Sequence, residues 1–96
     1  MKLLIMNNER RGALHRAINA LAKAQEYASE AKEIIEDIRD AEQDAYDNLP
    51  EGIQDSERGE IMQENCDDLD SIADEIDSIV DACEDQVDAI NDVIYK

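Results

Sequence analysis

Between Arg58 and Lys96 the chain has no Lys, Arg or His. It has no Phe and no Trp, and its only aromatic residues are Tyr27, Tyr46 and Tyr95. A core must therefore be built from Ile, Leu, Val and Ala, which suits helix packing and excludes the aromatic-rich interior of a sandwich or barrel. One proline, Pro50, and three glycines leave room for few turns. The longest apolar run near the start, Leu3-Leu4-Ile5-Met6, covers four residues and meets Asn7-Asn8-Glu9-Arg10-Arg11. That is too short for a membrane span and lacks a cleavage-site pattern, so neither a signal peptide nor a membrane segment is expected. The arm 1–7 is expected to cover the open end of a helix bundle or to pair with another copy. The two cysteines, Cys66 and Cys83, lie on the apolar stripe of one helix, about 25 Å apart, too far for a bridge within one chain. They read as buried free thiols suited to a reducing cytosol, and a cytoplasmic location is expected.

Catalytic constellations are also missing. His15 is the single histidine and lies among arginines. No serine has a nucleophile motif and no Gly-rich loop can cradle a phosphate. The Glu-x-x-His pairs of di-iron bundles and the Asp-rich loop with a central Gly of a calcium site are both absent. The expectation is a non-enzyme without cofactor or dedicated metal.

What is present is charge and period. The 96-residue chain carries a net charge of −17, unevenly placed. Residues 1–32 hold six Lys/Arg against three acids, and residues 33–96 hold three against 23. The 37 residues Gly59–Tyr95 carry 13 carboxylates, nine of them Asp, although Glu is the better helix former.

The hydrophobic pattern predicts one all-α domain: helix 8–48, turn 49–55 and helix 56–95 as an antiparallel hairpin. With Leu14 as position a, the a and d sites of the first helix run Leu14, Ala17, Leu21, Ala24, Ala28, Ala31, Ile35, Ile38, Glu42, Ala45. The g sites add Ala13, Ala20, Tyr27, Ile34 and Ala41. In the turn, Pro50 disfavours helix at Leu49, Gly52 permits positive φ, and Asp55 or Ser56 is placed to cap the second helix. That helix repeats over four heptads, with Leu69, Ile76, Cys83 and Ile90 at a, Ile72, Ile79, Gln86 and Val93 at d, and Ala73, Val80, Val87 and Ile94 at e. A lone hairpin cannot close a core around stripes this wide. Self-association is expected, most simply into a four-helix bundle, with Leu69, Ile72, Ile76, Ile79, Val80, Cys83, Val87 and Ile90 at the oligomer interface. Gln86 is expected to fix register by pairing with its counterpart or with Glu42.

Opposite the stripe stand Asp67, Asp74, Asp81 and Asp88 at f, Asp70, Asp77 and Glu84 at b, and Asp85 and Asp92 at c. Several are like charges at i,i+4, each costing a few tenths of a kcal/mol, so stability alone does not choose this face. From Asp67 to Asp92 there are 11 carboxylates over 26 residues, about one per 3.5 Å of helix, close to the axial charge spacing of one DNA strand. The functional reading is a helix that mimics nucleic acid and binds a basic protein through these nine residues. A merely solubilising face on an oligomeric structural protein is the alternative.

Arg10, Arg11, His15, Arg16 and Lys23 cluster near the start of the first helix, where an antiparallel partner brings Asp85, Asp88 and Asp92. Charge pairing is the simple reading. A second is an anion site, Arg10, Arg11, Arg16 and Lys23 clamping a small nucleotide signal as a sponge would. Extended nucleic acid is not an expected ligand, because the patch is short and has no stacking platform.

The segment Ala45–Glu60, with its Asn48-Leu49-Pro50-Glu51-Gly52 turn and Ser56-Glu57-Arg58 helix start, resembles small acidic helical-hairpin proteins of Firmicutes and their phages. The resemblance covers residues 35–95; the basic first helix is less typical. It implies a helical hairpin and a phage or prophage setting, in which small acidic proteins often inhibit host defence. It implies no assigned activity.

Overall fold

The computed structural model describes residues 6–96, so most of the arm 1–7 lies outside the described residues. The chain is an all-α antiparallel hairpin. Helix α1 spans Asn8–Asp47, a single helical turn α2 spans Glu51–Gln54, and α3 spans Glu57–Ile94. No strand occurs among the described residues. The hairpin is a rod of 75 × 15 × 13 Å.

Each helix boundary has a local cause. Asn7 caps α1, its Oδ1 accepting the Arg10 amide at 2.8 Å. At the far end the Asn48 amide donates to the Asp44 carbonyl at 3.1 Å and Leu49 to Tyr46 at 3.0 Å. Pro50, with φ fixed at −57°, then starts the segment predicted as turn. That segment winds into a further helical turn, with the Ile53 and Gln54 amides donating to the Pro50 carbonyl at 2.8 and 3.0 Å. The positive φ that Gly52 permits is not adopted, because a right-handed turn occupies its place. Ser56 stands at the N-cap of α3, but its hydroxyl turns back to the Ile53 carbonyl and caps no amide of α3. Gln54 ties the connection to α1 through its side-chain amide, which donates to the Tyr46 carbonyl at 3.1 Å.

The register follows from cross-helix contacts. The Gln25 side chain donates to the Val80 carbonyl at 3.4 Å, and Asn65 donates to Glu42 at 3.0 Å. Glu42 is therefore matched by Asn65, about 31 Å along α3 from Gln86, and the Glu42–Gln86 pair does not form within the chain. Gln86 is exposed.

The apolar stripe expected on each helix is split by the packing. On α3, positions a and e turn to α1: Met62, Cys66, Ala73 and Ile94 are buried, and Leu69, Ile76, Val80, Cys83, Val87 and Ile90 are half-buried. Position d does not join them, and Ile72 and Ile79 remain exposed. On α1 the seam is also a and e: Leu14, Leu21, Ala28 and Ile35 sit beside the polar Gln25, Lys32 and Arg39, all half-buried. Long polar side chains fill this role by laying their methylene stems on the seam with the heads in water. The d and g residues of α1, which the heptad pattern places with the seam, are left almost entirely on the surface.

Gly59 is the tightest point. It is buried, and a Cβ there would meet the Gln54 carbonyl carbon at 2.6 Å and Cα at 2.8 Å. Gly12 and Gly52 have open space around that position. Gly59→Ala is expected to lower unfolding stability by about 1–3 kcal/mol through backbone displacement. Gly12→Ala, in a helical site with room, is expected to raise it by about 0.5–1 kcal/mol. Urea unfolding of both variants checks the pair, and equal effects would contradict the close approach of α2 to α3.

Candidate functional site

The nine carboxylates singled out in the sequence lie on one arc of α3. Positions b, f and c are consecutive around a helix, so Asp67, Asp70, Asp74, Asp77, Asp81, Glu84, Asp85, Asp88 and Asp92 share the face turned away from the seam, and all are exposed. The 38-residue helix that carries them is uninterrupted.

Among the described residues, only the b row of this face touches the chain's own cations. Arg39 Nη1 donates to Asp70 Oδ1 at 2.6 Å, and Lys32 Nζ donates to Asp77 Oδ2 at 2.8 Å. Arg39 also holds Asp40 on its own helix at 3.0 Å. The hydrogen bond that Lys32 donates to Asp77 raises its pKa above the ordinary 10.5, and those that Arg39 donates to Asp70 and then Asp40 raise that of Arg39. Both cations occupy position e of α1, directly beside position b of α3. An e-to-b charge ladder at seven-residue spacing was thus written in the sequence, although the composition drew attention to Arg10, Arg11 and Arg16 instead. The remaining seven carboxylates of the face have no ion pair among the described residues.

The basic end does not pair with α3 within the chain. Among the described residues, none of Arg10, Arg11, His15, Arg16 or Lys23 forms an ion pair with α3. Asp85, Asp88 and Asp92 occupy c and f positions, which point away from α1. Arg16 and Lys23 occupy the c position of their own helix and also point outward. Arg11 is half-buried and donates to the Met6 carbonyl at 3.2 Å. Arg10, Arg16 and Lys23 are exposed on two different sides of α1, and no cavity joins them among the described residues.

Cys66 is 3% exposed, with Sγ 3.9 Å from the Arg39 carbonyl, while Cys83 is half-buried. Burial first, then the field of Glu42 and Asp67, pushes the Cys66 thiol above its ordinary 9.0. Among the described residues no group of His, Cys, Asp and Glu is arranged to hold a metal ion, and no helix is long and apolar enough to cross a membrane. No protein family, curated protein or solved structure matches this chain.

Two alkaline effects follow. Groups whose folded pKa is raised contribute stability that is complete below the unfolded value and lost as pH rises through the folded one. The urea midpoint is expected to hold up to about pH 9 and fall above it, first through Cys66 and then, past 10.5, through Lys32. Cys66→Ala should remove the first part of that fall. In the folded protein a thiol reagent should modify Cys83 well before Cys66; equal rates would contradict the burial of Cys66.

Proposed function

We propose that this chain is a non-catalytic binding protein whose acidic α3 face engages a basic, nucleic-acid-binding surface on another protein, acting as a nucleic-acid mimic. The observation that carries the reading is the set of seven exposed, unpaired carboxylates along one uninterrupted helix. Repulsion within this array lowers stability, and a basic partner relieves it on binding. Residues 35–95 resemble the acidic hairpins of Firmicutes phages, which supports a phage-encoded inhibitor of host defence working in the host cytoplasm.

Self-association belongs to the same proposal. Among the described residues, only Gly59, Met62, Cys66, Ala73 and Ile94 are buried in the hairpin alone, all of them on α3, while Tyr27, Ile34 and Ile38 stand 67%, 54% and 50% exposed on α1. Exposed apolar surface of this kind marks an interaction site. It also favours the second reading, a structural oligomer whose acids serve only solubility.

The test compares wild type with a variant carrying Asp→Asn at 74, 81, 85 and 88, which leaves the ion-paired Asp70 and Asp77 intact. As bait in host lysate, the wild type is expected to retain a basic protein that the variant loses. Raising salt from about 0.15 M to about 1 M, where the Debye length falls from about 8 to about 3 Å, should release it. The same partners on both baits, or retention at high salt, would favour the structural reading. A nucleotide sponge would instead show small-nucleotide binding abolished by Arg16→Ala.

A further inference from the structure

We infer that α1 is itself a homodimer seam: a second copy of this chain packs antiparallel on its outer apolar ladder, in a register set by charges flanking that ladder. This rests on the proposed self-association and names its surface. From Ala13 to Ala45 every third or fourth residue of α1 is apolar, ten positions without a polar interruption. They are the d and g sites that the hairpin leaves uncovered, and all but the half-buried Ala17 are exposed. The matching face of α3 is broken by Asn65, Asp68, Glu75 and Gln86, so α1 is the better half of the surface.

Charge identifies the occupant. The c position borders the ladder and reads Arg16, Lys23, Glu30, Asp37, Asp44, changing sign along the helix. All five are exposed and have no ion-pair partner within the described residues. In an antiparallel pair of helices, equivalent border positions face each other. One register sets Arg16 beside Asp44 of the second copy and Lys23 beside its Asp37, and the two-fold repeats both pairs, so four attractive contacts stand against the single Glu30 pair that meets on the axis. In that same register Ala20 faces Ile38 of the second copy, Ala24 faces Ile34 and Tyr27 faces Ala31, so each large side chain meets an alanine.

Neighbouring registers fail on one count or the other. A shift by one heptad sets Tyr27 against Ile38, leaves Arg16 unpaired and sets Glu30 against Asp37 twice. The opposite shift brings Arg10 into the apolar seam opposite Ala41. In a parallel pair the c row of one copy borders the a row of the other, Leu14, Leu21, Ala28 and Ile35, so its charges meet apolar residues and find no partners. Pairing through α1 also keeps the two acidic α3 helices on the outer edges of the dimer, where they remain free.

Sedimentation equilibrium of the full chain tests this. The wild type is expected to be a dimer. Ala24→Glu is expected to weaken dimerisation on the order of 100-fold by placing an unpaired charge in the seam. Far-UV circular dichroism should show the hairpin retained, since Ala24 is exposed in it. Lys23→Glu should weaken the dimer roughly tenfold, because one reversed pair occurs twice under the two-fold. Adding Asp37→Lys should restore it. A single-chain mass for the wild type overturns both the seam and the self-association beneath it. An oligomer unaffected by Ala24→Glu overturns the seam alone, and failure of Asp37→Lys to rescue overturns the register.

Discussion

The seam between α1 and α3 is the contact on which every other feature depends. Its packed side chains come from positions a and e of both helices, with polar contacts from b and d of α3 along its edges. On α3 this consumes the residues that pattern alone would offer to an oligomer, such as Ile76 and Val80. On α1 it draws in Gln25, Lys32 and Arg39, whose stems pack while their heads reach the backbone or the b-row acids of α3. One edge of the hairpin is thereby closed by charge. The other edge is left open and apolar, because d and g are rotated out of the contact. Gly59 makes the geometry possible at the hinge end, letting the start of α3 touch the backbone of Gln54.

From that one choice of faces the molecule acquires three distinct surfaces. The f and c rows of α3 are acidic and unpaired. In the b row Asp70 and Asp77 are neutralised from within, while Glu84 joins the unpaired acids. The outer ladder of α1 is apolar and bordered by charges of changing sign. These surfaces do not compete for the same residues, so binding of a basic partner along α3 and pairing through α1 are compatible. Asp residues hold their charge near the backbone on short stems, which fixes the array more rigidly than Glu would.

The fold was legible in the sequence because both helices are long and strongly periodic, and Pro50 marks the one break. The acidic face was equally legible, since charge placement on a helix follows from spacing alone. The assignment of the apolar stripes was not. A three-position stripe of a, d and e on α3 does not say which two positions face the partner. The answer lies in α1, where position e carries cations that match the acids at b. The turn was legible as a break but not in its form: Gly52 permits a left-handed residue there, and the hydrogen bonds to Pro50 instead make it part of a right-handed turn. The expected pairing of Arg16 and Lys23 with Asp85, Asp88 and Asp92 ignored orientation, for those side chains are abreast in sequence register yet turned to opposite outer surfaces.

Small-angle X-ray scattering in solution tests the central claim, that a hairpin with one satisfied face closes its second face side by side with its own copy. The account expects a particle of twice the 10.8 kDa chain mass whose longest dimension stays close to the 75 Å of one hairpin, with an enlarged cross-section. A particle of one chain mass, or a doubled mass with a length approaching twice that of the hairpin, would contradict it.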